Sequence, residues 1–261
     1  MIVNIWILAS IIFFIAVVMT MTGRGGGNFY VLALVISGVS IHEAATTGQF
    51  VLICSSLAAT IFFGKKKVID WKLVLLIGML TLISAFLGGY FSDKFDATLL
   101  KIIFAIFIFI ASVLMLKPVK KETKTNTRYG IELKSMNTTY HINLVIFIPI
   151  VLITGFVSGM VGISGGSFLV PLMVLAIGVP MQIAVGTSTT LVLITATAGF
   201  LGHLSTGHFN MEMSIILAVS AIIGSLIGTR LTIKANPRFL KIIFATTSMI
   251  AAFIMIYKIF S

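Results

Sequence analysis

Two stretches decide how this chain folds: "TGRGGGNFYVL" at Thr22–Leu32 and "VGISGGSFLVP" at Val161–Pro171. Each closes a long apolar run with a cluster of glycines. Each is followed by a short apolar piece, Asn28–Ser40 and Ser167–Gly178. As a helix, such a piece reaches only about 20 Å against a hydrocarbon core of about 30 Å. Long apolar segments flank the two clusters, near 1–22, 43–63, 71–92 and 98–116, and again near 142–161, 181–202, 211–231 and 239–259. All of these are long enough to span.

The order of long and short pieces repeats. Gly23, Gly26, Gly27 and Phe29 match Gly162, Gly165, Gly166 and Phe168 at an offset of 139. "LKIIFA" at Leu100–Ala105 recurs at Leu240–Ala245, at an offset of 140. The sequence therefore reads as a first transmembrane repeat over 1–116, a basic linker over 117–141 and a second repeat over 142–261. The predicted fold is an all-α polytopic membrane protein. It has two inverted repeats, about eight long transmembrane segments and two short re-entrant half-helices.

Composition agrees with membrane residence. The chain has 261 residues, 59% of them hydrophobic and 10% charged, with a mean hydropathy of +1.16. The net charge of +11 would suggest nucleic acid in a soluble protein, but here it orients loops in the bilayer. The first apolar run lacks the basic start and the cleavage site of a signal peptide. The lone Cys54 permits no internal disulfide.

The basic residues also choose between parallel and inverted halves. If each glycine cluster is the tip of a re-entrant hairpin, each half crosses three times and the halves are inverted. One face then collects fourteen basic residues, among them Lys65–Lys67, Lys72, Arg230, Lys234, Arg238 and Lys241. The other face holds three, Lys94, Lys101 and Lys258. Four crossings per half give eleven against seven. Positive residues favour the cytoplasmic side, which predicts cytoplasmic loops at 64–72, 117–141 and 230–241 and places both termini outside.

Irregular backbone inside a bilayer persists only where it faces protein or a cavity. Glycine leaves its amides uncovered, and the helix that follows offers a positive end to an anion. The candidate anion site is therefore Arg24, Gly25, Gly26, Gly27 and Asn28 from the first cluster, with Ser164, Gly165, Gly166 and Ser167 from the second. The competing reading is close packing through small residues, which Gly155-x-x-x-Gly159 fits.

"SGMVGISGGSFLVPLMV" (158–174), followed by "MQIAVGTSTTLVLITATAGFLGH" (181–203), resembles the TauE/SafE sulfite exporter family, also called the toluene-sulfonate uptake permease family. The resemblance covers the whole chain and is strongest at Gly162, Gly165, Gly166, Pro171, Gly186, Thr187 and Ser188. The first half lacks the proline and has Thr47-Gly48-Gln49 where the second has Gly186-Thr187-Ser188. The resemblance implies transport of sulfite, a sulfonate, thiosulfate or a similar small organosulfur anion across a prokaryotic cytoplasmic membrane.

Other residues bear on the same chemistry. Arg24 can bind an anion directly or snorkel to an interface. Thr47, Gln49, Thr187 and Ser188 can hydrogen-bond an oxyanion, or their hydroxyls can bond their own helix. His42 and Glu43 suggest proton coupling, and an interfacial loop is the competing reading. His203 and His208 have no carboxylate at metal-ligand spacing and read as loop residues. No cofactor or metal is implied. H-E-x-x-H, G-x-S-x-G and Walker A sequences are missing, so the expectation is a carrier and not an enzyme. A small-anion channel is the alternative, with an intramembrane enzyme further behind.

Overall fold

The computed structural model describes residues 4–91, 102, 106, 109–110, 112–116, 130–135, 138–161, 166–204 and 209–260. Nearly all of them are helical. Helices α1 (Ile5–Met21), α2 (Gly27–Ile36), α3 (Ile41–Lys65) and α4 (Trp71–Phe91) come first. Strands β1 (Gly130–Ser135) and β2 (Thr138–Asn143) follow. The second half supplies α5 (Leu144–Val161), α6 (Gly166–Pro171), α7 (Met181–Leu204), α8 (Met211–Lys234) and α9 (Pro237–Phe260). Described residues between 102 and 116 are helical too.

This is a multi-pass membrane protein. Among the described residues, Glu43–Lys65, Met211–Lys234 and Pro237–Ile254 are long and apolar enough to cross a bilayer, and the other long helices contribute shorter apolar stretches. Both short pieces are present. α2 ends earlier than its apolar run, because Gly38 at φ 87° turns the chain and Ser40 caps α3. Beyond Pro171, α6 continues as a wider π-type turn over Leu172–Ile177, a local loosening that proline favours by withdrawing a donor.

By internal contact the chain forms two units, Met1–Ile69 with Val185–Ala235, and Asp70–Ala184 with Asn236–Ser261. In the first unit, α1 lies along α8 on a seam of small residues. The Ser220 hydroxyl donates to the Ala9 carbonyl at 2.6 Å. A Cβ on Gly224 would stand 2.5 Å from the Phe13 carbonyl, and one on Gly228 2.5 Å from that of Val17. The numbers climb together in steps of four, so the two helices run in the same direction. α3 follows them. Thr47 meets Ser214 near the start of both helices, at 3.3 Å. Further along α3, Leu52 meets the turn that follows α1.

α7 runs the opposite way. Gly186 packs on Phe63 and on the carbonyl of Val68, Thr190 meets Thr60 at 3.5 Å, and Phe200 meets Phe50 at 5.7 Å between ring centroids. One relation stands out among these contacts. The offset of 139 that pairs Thr47 with Gly186 takes Phe50 to Thr189 and Thr60 to Gly199, each one residue from Thr190 and Phe200. The Thr60–Thr190 and Phe50–Phe200 contacts therefore lie within one residue of being a single contact with its partners exchanged.

In the second unit, α5 packs on α4 in the same manner. A Cβ on Gly155 would overlap the Ser84 hydroxyl and lie 3.1 Å from the Cα of Thr81. Shifted by the repeat offsets, Gly155 is Ala16 and Ser84 is Gly224. Those two residues also meet, Ala16 lying 2.9 Å from a Cβ on Gly224. Each unit thus joins a helix of one half to a helix of the other through the same small-residue step.

The all-α expectation is corrected at one place. β1 and β2 form an antiparallel hairpin in the linker, with Glu132 opposite His141. Its signal is the period-2 alternation of Ile131, Leu133, Tyr140 and Ile142, of which Tyr140 and Ile142 are buried. The hairpin is tied to α4. Asp70 accepts the amides of Lys72 at 3.1 Å and Leu73 at 3.2 Å as a helix cap, and it also accepts the Ser135 hydroxyl at 2.8 Å. Lys72 Nζ donates to the Lys134 carbonyl at 2.7 Å.

Candidate functional site

The first glycine cluster is built from a helix ending. The amide of Gly23 bonds the Thr20 carbonyl at 3.1 Å, and that of Arg24 reaches back to Met19 at 3.2 Å. With Gly23 at φ 70°, this is the paired closure that ends a helix at a left-handed residue. Gly25 and Gly26 follow at φ 72° and 86° and reverse the chain into α2. A side chain would be excluded here on steric grounds as well. A Cβ on Gly25 would lie 2.6 Å from both Leu52 and Val192, and one on Gly27 2.8 Å from Leu52. Leu52 sits near the middle of the span Glu43–Lys65, so the turn is set against the middle of α3 and not at its end.

The turn carries positive potential. α2 starts after Gly26 with no side-chain cap, and its first intrahelical donors are Phe29 and Tyr30, both to the Gly26 carbonyl. The amides of Gly27 and Asn28 precede them at the positive end of the helix. Arg24 is only 4% exposed, with its guanidinium 6.0 Å from the Phe29 ring centroid. It does not snorkel to water. The Asn28 side chain is exposed, unlike the rest of the cluster.

Two helices of the first unit brace this turn. Ser188 of α7 donates its hydroxyl to the Gly23 carbonyl at 2.8 Å, which commits its single proton to holding the loop. Thr187 and Thr47 are fully buried beside it in sequence and in α3 respectively. Ser214 gives its proton to Asn210 at 2.6 Å, which leaves Thr47 as the donor in their contact. Thr189 and Thr190 bond back to their own helix, to Val185 at 2.8 Å and Gly186 at 3.2 Å. The Gln49 amide oxygen is buried with no hydrogen-bond partner.

The remaining candidates are distributed as follows. Gly166 and Ser167 are buried at the start of α6 in the second unit. Ser164, Gly165 and the His42 side chain lie outside the described residues, as do His208 and the His203 side chain. Glu43 is half-buried in the first turn of α3, where the Ser40 hydroxyl accepts its amide at 3.4 Å. Tyr30 was not singled out from the sequence. It is fully buried, and its Cζ lies 3.2 Å from where a Cβ on Gly26 would stand. Among the described residues, no three His, Cys, Asp or Glu side chains are grouped to hold a metal ion.

The profile of a family described as Sulfite exporter TauE/SafE matches residues 8–255. The chain is similar to Probable membrane transporter protein YunE of Bacillus subtilis, 28% identical over 92% of both chains. It is 25% identical to a Probable membrane transporter protein of Methanocaldococcus jannaschii, over 90% of this chain and 88% of the other. It is also 22% identical to Sulfite exporter TauE/SafE family protein 6 of Arabidopsis thaliana, over 86% of this chain and 73% of that one.

Proposed function

The chain belongs to the sulfite exporter TauE/SafE family, and we propose that it is a secondary transporter carrying a small, sulfur-containing oxyanion by alternating access. The observation that carries this reading is Arg24, a buried guanidinium inside a three-glycine turn set against the middle of a membrane span. A cation at such a place is costly unless it serves a ligand or a pathway. The α2 amides add to the same positive potential.

Inversion of the repeats is supported inside the first unit. α3 and α7 occupy equivalent places in the two halves, yet they run antiparallel and exchange contacts across a local two-fold. The second cluster (Ser164, Gly165, Gly166 and Ser167) repeats the glycine pattern of the first, and we assign it the equivalent anion-facing role within its own half. The direction of the helices also supports the charge-based topology. α3 and α8 run together and end in Lys65 and Lys234, as cytoplasmic ends would. In a Cys54-free background, cysteines at Lys66 and Ser205 are expected to label from opposite sides with an impermeant reagent. Labelling of both from one side would refute the inverted arrangement.

Counterflow in proteoliposomes tests the function. External labelled sulfite, thiosulfate, sulfoacetate, taurine or sulfate is offered to vesicles preloaded with the same anion. At least one sulfur oxyanion is expected to show faster uptake into preloaded vesicles. Flux without that acceleration marks a channel, and conversion of the anion marks an enzyme. An importer working against an inside-negative potential needs a co-ion, since one charge costs about 2.3 kcal/mol per 100 mV. Glu43 is assigned the proton in that case. Glu43→Gln should then abolish the pH dependence of net flux while counterflow persists. If wild-type flux does not vary with pH, Glu43 is left with its place in the first turn of α3, where a carboxylate suits the helix dipole.

A further inference from the structure

Among the described residues, Tyr30 is a large polar side chain that packs against the first glycine turn without an explained role. It is fully buried. Its hydroxyl completes no hydrogen bond of full geometry and has only a loose contact with Ser55, whose own hydroxyl donates to the Leu52 carbonyl at 3.1 Å. Long side chains on a helix lean back toward its N-terminus. Tyr30, one turn into α2, therefore carries its ring back over Gly26, 3.2 Å from where a Cβ there would stand. Phenylalanine would fill that space equally well, without burying a hydroxyl that finds no partner.

Three features thus meet at one end of a ten-residue helix. The amides of Gly27 and Asn28 open there, the buried Arg24 belongs to the same turn, and the Cζ atom that carries the Tyr30 hydroxyl packs on Gly26. Amides and a guanidinium attract any anion. A phenolic O–H adds one directional donor, suited to an oxygen that carries charge. We propose that Tyr30 is a substrate-binding residue of this site, its hydroxyl donating to an oxygen of the bound oxyanion beneath the Gly25–Gly27 turn. The assignment rests on the anion-transporter reading and extends it to a residue that the glycine motif does not contain.

The test is Tyr30→Phe, reconstituted as the full chain beside the wild type. Counterflow is measured with labelled sulfite, thiosulfate and methanesulfonate, and melting is followed with and without each anion. Loss of one charge-assisted hydrogen bond should raise the KM for the transported oxyanion roughly tenfold or more. The anion-free variant should melt at the wild-type temperature or above it, because a buried unmatched hydroxyl has gone. The stabilisation that the anion confers on the wild type should shrink. Wild-type counterflow with an unchanged KM in Tyr30→Phe overturns the assignment and leaves Tyr30 as a core residue. If the wild type moves and binds none of the three anions, the site reading fails and the assignment fails with it.

Discussion

Gly25→Leu is expected to abolish counterflow, and a second change, Leu52→Ala, is expected not to restore it. At φ 72° any L-residue is strained by roughly 1–2 kcal/mol. The new side chain would also collide with Leu52 and Val192, each 2.6 Å from its Cβ. Overpacking of that kind adds about 1–3 kcal/mol. Trimming Leu52 relieves one collision but neither the other nor the backbone strain. Gly27 provides the contrast. It is helical, and a Cβ there meets Leu52 alone, at 2.8 Å. Gly27→Ala with Leu52→Ala should therefore recover much of the flux that Gly27→Ala loses. Initial counterflow rates, normalised to protein in the membrane, measure both. Near-normal flux in Gly25→Leu would return the cluster to plain helix packing.

The helical, multi-pass character and the two short helices were legible in the sequence, because membrane crossing leaves a strong length signal. Gly23 was legible as a backbone break, and its part in closing α1 follows from the left-handed residue that such endings need. The pairing of α1 with α8 was not legible. Small residues at Gly224 and Gly228 say that something packs closely there, but they do not say which helix. Ser188 shows the same limit. Its type and position suggested a ligand to the anion, whereas its proton goes to the Gly23 carbonyl, a partner 165 residues away. The linker hairpin carried its own signal in the alternation of Ile131, Leu133, Tyr140 and Ile142, but the high charge of the surrounding stretch masked it. Tyr30 escaped notice because an aromatic residue on a half-helix in an oily chain reads as core. Only its buried hydroxyl, on a ring whose Cζ packs against Gly26, separates it from the many phenylalanines.

Arg24→Met should leave a folded protein that no longer carries the anion. The methionine fills most of the volume of the arginine stem. Removing a buried charge is often neutral or stabilising when the site is otherwise well packed, although the groups that now bond Arg24 would have to find water or each other. The loss in function should be large. A guanidinium offers two parallel donors to an oxyanion as well as its charge. Losing both should cost about 3 kcal/mol, or more than a hundredfold in kcat/KM. Arg24→Lys keeps the charge without the planar fork, so it should fall between the two. A bracing role for Arg24 predicts a different pattern. In that case Arg24→Met and Arg24→Lys would lower the melting temperature and the amount of folded transporter together, with the KM of the surviving fraction unchanged. Counterflow KM and thermal melting, measured on the same preparations, separate the two. An unchanged KM in Arg24→Met would remove the central support for an anion at this turn.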